Sequence, residues 1–148
     1  MPKRKTYSGR FRPSNPGKYK GDPTNIIYRS SWEKKVMLWC DVNSNVIKWS
    51  SEEIIVPYIS PVDRRPHRYF PDFYVKGRLR GKGLKEYIIE VKPDRETRRP
   101  KPKVKVTKQY LNEIRTYSIN QAKWKAATTY AKDRKMEFVV LTEHDLGL

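Results

Sequence analysis

Pro71-Asp72-Phe73-Tyr74-Val75 and, further on, Glu86-Tyr87-Ile88-Ile89-Glu90-Val91-Lys92 are the two stretches that decide the fold. Both are rich in β-branched and aromatic residues and read as β-strands. Lys76-Gly77-Arg78-Leu79-Arg80-Gly81-Lys82-Gly83 lies between them, glycine-rich and basic, and reads as a hairpin connection. Alternate residues of a strand share a face. Glu90 and Lys92 therefore point one way, and Ile89 and Val91 enter the opposite, apolar layer. Asp72 and Tyr74 likewise share a face, which leaves Phe73 and Val75 for the other. If the two strands pair, Asp72 and Glu90 converge on one cation. The carbonyl of Val91 is then available as a third oxygen ligand, and Lys92 stands beside a metal-bound water.

Glu-x-Lys alone is a common exposed pair on a strand and needs no function. The Pro-Asp on the neighbouring strand changes the balance, because acids are scarce in this chain. It carries 33 Lys+Arg against 16 Asp+Glu, a formal charge of +17. Two acids converging in so positive a field point to a polyanionic partner and to phosphodiester chemistry. Nucleic acid leads over an acidic membrane surface, since no lipidation signal or strongly apolar amphipathic helix stands out.

At 148 residues the chain is expected to form one domain with a real core. Four Trp, ten Tyr and four Phe argue against wholesale disorder. Cys40 is the single cysteine and only His67 and His144 accompany it, so no structural zinc is expected. Cys40 reads as a small buried hydrophobe. No apolar run reaches membrane-spanning length, and the polar N-terminus is no signal peptide, so a reducing, cytosol-like compartment is expected.

Outward from the two strands, residues 1–24 hold four prolines, three glycines and seven Lys/Arg, with Asp22 the only acid. They read as a basic flexible arm that leaves the core alone, ahead of a domain over 25–148. Removal of residues 1–20 is accordingly expected to leave stability unchanged. Ser30 and Glu33 form a capping box for a helix over about 31–42, with Trp32, Val36, Trp39 and Cys40 at helical spacing. Val46-Ile47-Lys48-Trp49 reads as a strand. Ile54-Ile55-Val56 with Tyr58 reads as another, cut by Pro57 and so at an edge. Residues 60–69 read as a loop. Helices are expected over about 106–117 and 119–134, and a last strand over Met136–Leu141. Helix, strands, helices and strand make an α/β domain around a small mixed sheet flanked by helices.

The order Pro-Asp, then acid-x-Lys on the next strand, resembles the PD-(D/E)xK nucleases, with Asp72, Glu90 and Lys92 at the motif positions. The helix acid that this superfamily tends to carry corresponds to Glu33, which as the third residue of a capping box also has a complete structural role. Trp49-Ser50-Ser51-Glu52-Glu53, Ile55-Val56-Pro57-Tyr58 and Tyr69-Phe70-Pro71-Asp72-Phe73 resemble the branch containing transposon end-cleaving endonucleases. Tyr19-Lys20-Gly21-Asp22, Ile27-Tyr28-Arg29-Ser30-Ser31-Trp32-Glu33 and Phe138-Val139-Val140-Leu141-Thr142-Glu143 resemble the head completion nucleases of contractile-tailed bacteriophages.

The resemblance implies a restriction-endonuclease-like core and Mg²⁺-dependent hydrolysis of double-stranded DNA, with Mn²⁺ an alternative cation. Ends bearing 5′-phosphate and 3′-hydroxyl groups are implied, as is a role late in head maturation before the tail joins. Portal or neck proteins become the implied protein partners. The implied setting is the host cytoplasm during assembly, or the particle itself. Catalytic work falls to Glu33, Asp72, Glu90 and Lys92, and metal binding to Asp72, Glu90 and Val91. Arg64, Arg65 and Arg68 flank the site in sequence, and Lys123 and Lys125 lie on the later helix, where relatives present polar or basic groups. These five are the phosphate-contacting candidates. Glu52 and Glu53 are competing acids at a strand entrance, and Gln121 is a further polar residue on that helix. A non-catalytic basic DNA-binding or capsid neck protein, and an RNA-binding protein, are the competing classes. No helix-turn-helix, zinc finger or RNA-binding motif supports either.

Overall fold

The computed structural model describes residues 8–79 and 83–147. In chain order its elements are β1 (Gly9–Phe11), β2 (Ile26–Tyr28), α1 (Ser31–Val42), β3 (Val46–Ser51), β4 (Val56–Ile59), β5 (Pro66–Tyr69), β6 (Phe73–Gly77), β7 (Lys85–Val91), α2 (Lys108–Asp133) and β8 (Glu137–Leu141). The central sheet runs β3-β6-β7-β8, antiparallel except for the parallel β7–β8 pair. It is the small mixed sheet expected of a restriction-endonuclease-like α/β core. Two separate ribbons, β1–β2 and β4–β5, complete the strands.

The alternation in β6 and β7 sorts the two layers. Phe73, Val75, Tyr87, Ile89 and Val91 face a core that also holds Val36, Met37 and Cys40 of α1 and Trp49 of β3. The opposite face carries Ile88, Tyr74 and Glu90, all buried. On that side Ala127 of α2 packs with Val56 and Tyr69 of the β4–β5 ribbon, and Trp124 and Phe138 lean against them.

Ser30 Oγ accepts the Glu33 amide at 3.1 Å and starts α1 as the sequence predicts. The Glu33 carboxylate reaches one residue further than a capping box requires and accepts the Arg29 amide at 2.6 Å. Trp39, expected in the core, is 40% exposed; the buried stripe is Val36, Met37, Cys40 and Asp41. Burial pushes the Cys40 thiol up to about 12, as befits an inert packing group.

Four expectations need correction. The two helices expected over 106–117 and 119–134 are one, α2, because Tyr117-Ser118-Ile119 contains neither glycine nor proline to break it. Residues 66–69 of the expected loop form β5, paired with β4 in register Val56↔Tyr69 through Ile59↔Pro66. Three of its four residues are exposed, so no hydrophobic alternation marked it. The strand expected to begin at Ile54 begins at Val56 and carries Pro57 inside, which a two-stranded ribbon tolerates because each strand has a free edge.

The fourth correction concerns the arm. Its Lys3-Arg4-Lys5 cluster lies outside the described residues, but the stretch 9–19 packs against the domain. β1 pairs antiparallel with β2, and Phe11 and Tyr19 are buried edge-on against Trp49, with ring centroids 5.9 and 4.8 Å away. Asp41 is 1% exposed, and its carboxylate accepts the amides of Ser14 and Asn15 at 2.8 and 2.9 Å. Proline and glycine here shape an extended wrap, and a few aromatics hold it down.

Gly77 ends β6 at a crowded place. A Cβ there would lie 2.4 Å from the Asn45 carbonyl oxygen, which is backbone and cannot swing aside. Gly77→Ala is expected to cost about 1–3 kcal/mol by overpacking, read as a lower midpoint in urea at unchanged slope. An unchanged midpoint would mean that the β3–β6 bulge absorbs the methyl group.

Candidate active site

Asp72 precedes β6, and Glu90 lies near the end of β7. The register Phe73↔Ile89 continued by one residue sets these two acids opposite each other on the face toward α2. Asp72 is held from two sides. Its Oδ2 accepts the Val91 amide at 2.7 Å, and its carbonyl accepts the Glu52 amide at 3.1 Å. Glu52 adopts a left-handed backbone, φ 56, and pairs with Arg29 through its side chain. A non-glycine residue held in that conformation beside a carboxylate is the kind of local strain that functional sites retain.

Glu90 is 6% exposed and accepts a hydrogen bond from the Tyr69 hydroxyl, delivered by the β4–β5 ribbon. Lys92 follows at the strand end, its amide bonded to the Leu141 carbonyl at 2.9 Å. Two residues on, the Asp94 amide is pinned to Glu143 at 2.8 Å, so the chain carrying Lys92 is fixed on both sides.

The electrostatics are those of two acids short of counter-charge. Burial pushes Asp72 up to about 7; the Val91 amide opposes, Glu33 adds repulsion, Lys92 opposes and Glu52 adds repulsion. Burial likewise pushes Glu90 up to about 7, against Lys92 and Lys123, with Glu33 repelling. The buried Trp124 indole N–H adds a weak pull on Glu90 without reaching hydrogen-bond geometry. Carboxylates this poorly compensated, Glu90 buried and Asp72 half-buried, are costly unless protonated or joined by a cation. The donor atoms on offer are oxygens, which suits a hard divalent ion.

The structure therefore brings together Asp72, Glu90 and Lys92, and sets Glu33 close enough to repel both acids. Val91 contributes its amide to Asp72. Lys123 stands with Lys92 and Arg68 in a cleft beside Glu90. Lys125 and Gln121 are exposed on α2, and Arg64 and Arg65 are exposed in the β4–β5 turn. Of the two competing acids, Glu53 is exposed and Glu52 is the partly buried partner of Arg29.

Two residues of the site escaped the sequence reading. Tyr69 sat in an expected loop. Asn120 is buried and lines the same cleft; its signal was a poor helix former in mid-helix, three residues before Lys123 and so on one face with it. Elsewhere Asp94, Glu143 and His144 bring ligand atoms within 4.8 Å of one another, but Asp94 is already paired to Arg98 at 2.6 Å.

Residues 43–143 match the family described as "TnsA-like endonuclease N terminal". The chain is also 41% identical to the head completion nuclease of Enterobacteria phage T4 over 144 residues, 95% of this chain and 93% of that protein. The family match takes in both acid-bearing strands, Lys92 and the whole of α2, while Glu33 and the wrapping segment lie outside it. The chain thus belongs to the TnsA-like endonuclease family and is a nuclease related to the PD-(D/E)xK enzymes.

Proposed function

We propose that this nuclease hydrolyses phosphodiester bonds of double-stranded DNA with Mg²⁺, or Mn²⁺ in its place, held by the carboxylates of Asp72 and Glu90 and the Val91 carbonyl. The observation that carries this reading is the pair of poorly compensated acids facing each other across β6 and β7. Bound there, a divalent cation supplies Lewis-acid polarisation of the phosphate and a more acidic water. The Val91 amide fixes the rotamer of Asp72, and the Tyr69 hydroxyl fixes that of Glu90. Lys92, from the same strand face as Glu90, orients the attacking water and steadies charge on the phosphate. Glu33 has a structural task at the Arg29 amide and adds negative potential at the site. Breaking of the P–O3′ bond, with the 3′ oxygen leaving opposite the attacking water and taking up a proton, would give 5′-phosphate and 3′-hydroxyl ends.

The setting we assign is phage head completion, with cleavage of packaged DNA before tail joining and portal or neck proteins as neighbours. Support comes from the name of the T4 relative, matched over nearly the full length of both chains. No helix among the described residues is long and apolar enough to cross a membrane. Action in the host cytoplasm during assembly is consistent with that role.

The test is cleavage of linear and circular DNA under controlled cation and pH. Mg²⁺ and Mn²⁺ should support turnover, Ca²⁺ should bind with little turnover, and EDTA should abolish it. Protons compete for the same oxygens. As pH falls through about 7 the two acids take up protons, so the Mg²⁺ needed for half-maximal rate should rise steeply. Undiminished cleavage in EDTA would sink the mechanism.

A further inference from the structure

On the α2 side of Glu90 lies a cleft of about 270 Å³ that Asp72 does not line. We propose that it receives a second phosphate of the cut strand, one sugar away from the phosphate held at the acids. The inference rests on the nuclease reading above and adds a binding subsite to it. Three cations, Arg68, Lys92 and Lys123, face a single carboxylate there, and that carboxylate is engaged by the Tyr69 hydroxyl. None of the three makes an ion pair among the described residues. Lys123 is half-buried, with its ammonium 5.6 Å from the Tyr69 ring centroid and 5.9 Å from that of Tyr58. Glu90 is the one carboxylate lining the cleft with it, so positive charge is in excess there.

Asn120 supplies an independent observation. It is 6% exposed and lines this cleft. An amide N–H beside two cations is what a phosphate oxygen would accept. Phe70, 43% exposed at the mouth, offers an apolar wall for the attached sugar or base. The cleft shares Glu90 and Lys92 with the acid site, so its phosphate must belong to the same strand as the one attacked.

The experiment is calorimetric binding to the full chain in Ca²⁺, which avoids turnover. The probe is thymidine carrying phosphates on both sugar hydroxyls, compared with the two monophosphates. Either phosphate of the probe can take the place at the acids, so a neighbour on either side of the cut is detected. The bisphosphate is expected to bind at least about 10-fold more tightly than either monophosphate. Lys123→Gln and Asn120→Ala should each erase most of that advantage while monophosphate binding stays Ca²⁺-dependent. Arg68→Gln, at an exposed position, repeats the test should the helix variants unfold. Equal binding of mono- and bisphosphate, or an advantage that survives in all folded variants, overturns the cleft and leaves the nuclease reading intact. Binding that ignores Ca²⁺ counts against the acid site instead. No binding of any nucleotide overturns the subsite, and DNA cleavage then judges the metal mechanism separately.

Discussion

Asp72→Asn and Glu90→Gln should each lower DNA cleavage by about 10²- to 10³-fold or more, and at the same time make the metal-free protein more stable above neutral pH. The two effects have one cause. In the metal-free fold both carboxyls titrate near 7, well above the range they occupy in an unfolded chain. The folded state therefore binds protons that the unfolded state has already released between about pH 4 and pH 7. That proton uptake stabilises the fold at low pH and is lost as pH rises through 7, where the buried Glu90 and half-buried Asp72 remain charged with too little compensation. An amide at either position keeps the acceptor oxygen for the Val91 amide or the Tyr69 hydroxyl and carries no charge to desolvate. Thermal melts at pH 8 in EDTA should thus place both variants at or above the parent, and added Mg²⁺ should raise only the parent. An acid kept for structure alone would behave in the opposite way, so a variant that cleaves normally and melts lower would move the site elsewhere. Lys92→Ala separates the roles further. It should retain Mg²⁺ binding by calorimetry and lose most turnover, since its work is on water and phosphate.

Removal of residues 1–20 should unfold the domain or lower its melting temperature by at least about 10 °C, contrary to what the composition of that segment suggests. Phe11 and Tyr19 are buried, and each is worth about 1.5–3 kcal/mol of apolar burial. Their loss exposes Trp49, the largest side chain at the centre of this core. It also strips Asp41, 1% exposed, of the Ser14 and Asn15 amides and of the Lys18 ammonium that caps the helix-end carbonyls of Asp41 and Asn43. A buried carboxylate without partners adds several kcal/mol more. The sum rivals the whole stability of an ordinary domain, about 5–15 kcal/mol. The milder variants Phe11→Ala and Tyr19→Ala should each cost about 3–5 kcal/mol by the same logic. A truncated chain that melts with the parent would return these residues to the role of a loose arm.

Much of the site was legible from the residues because strand chemistry is local. Period-two alternation in Phe73-Tyr74-Val75 and Ile88-Ile89-Glu90-Val91-Lys92 decided which side chains share a face before any pairing was known. The helix start at Ser30 was legible for the same reason, since a cap is written within four residues. What the sequence by itself could not decide is everything that depends on a partner distant along the chain. The hairpin register that sets Asp72 opposite Glu90 was open, because the connection between the strands is long. That Glu90 is buried and Asp72 half-buried, rather than both solvated on an outward face, follows from α2 and the β4–β5 ribbon closing over that face. Neither covering element announces its target, as β5 is mostly exposed and α2 buries chiefly Ala127, Ala131 and Asn120. The wrapping segment was misjudged on the same ground. Prolines, glycines and lysines describe its local stiffness and charge, but Phe11 and Tyr19 acquire their weight only from Trp49, three to four tens of residues away. Local rules assigned the chemistry of the two strands; long-range packing decided its dielectric, its counter-charges and therefore its reactivity.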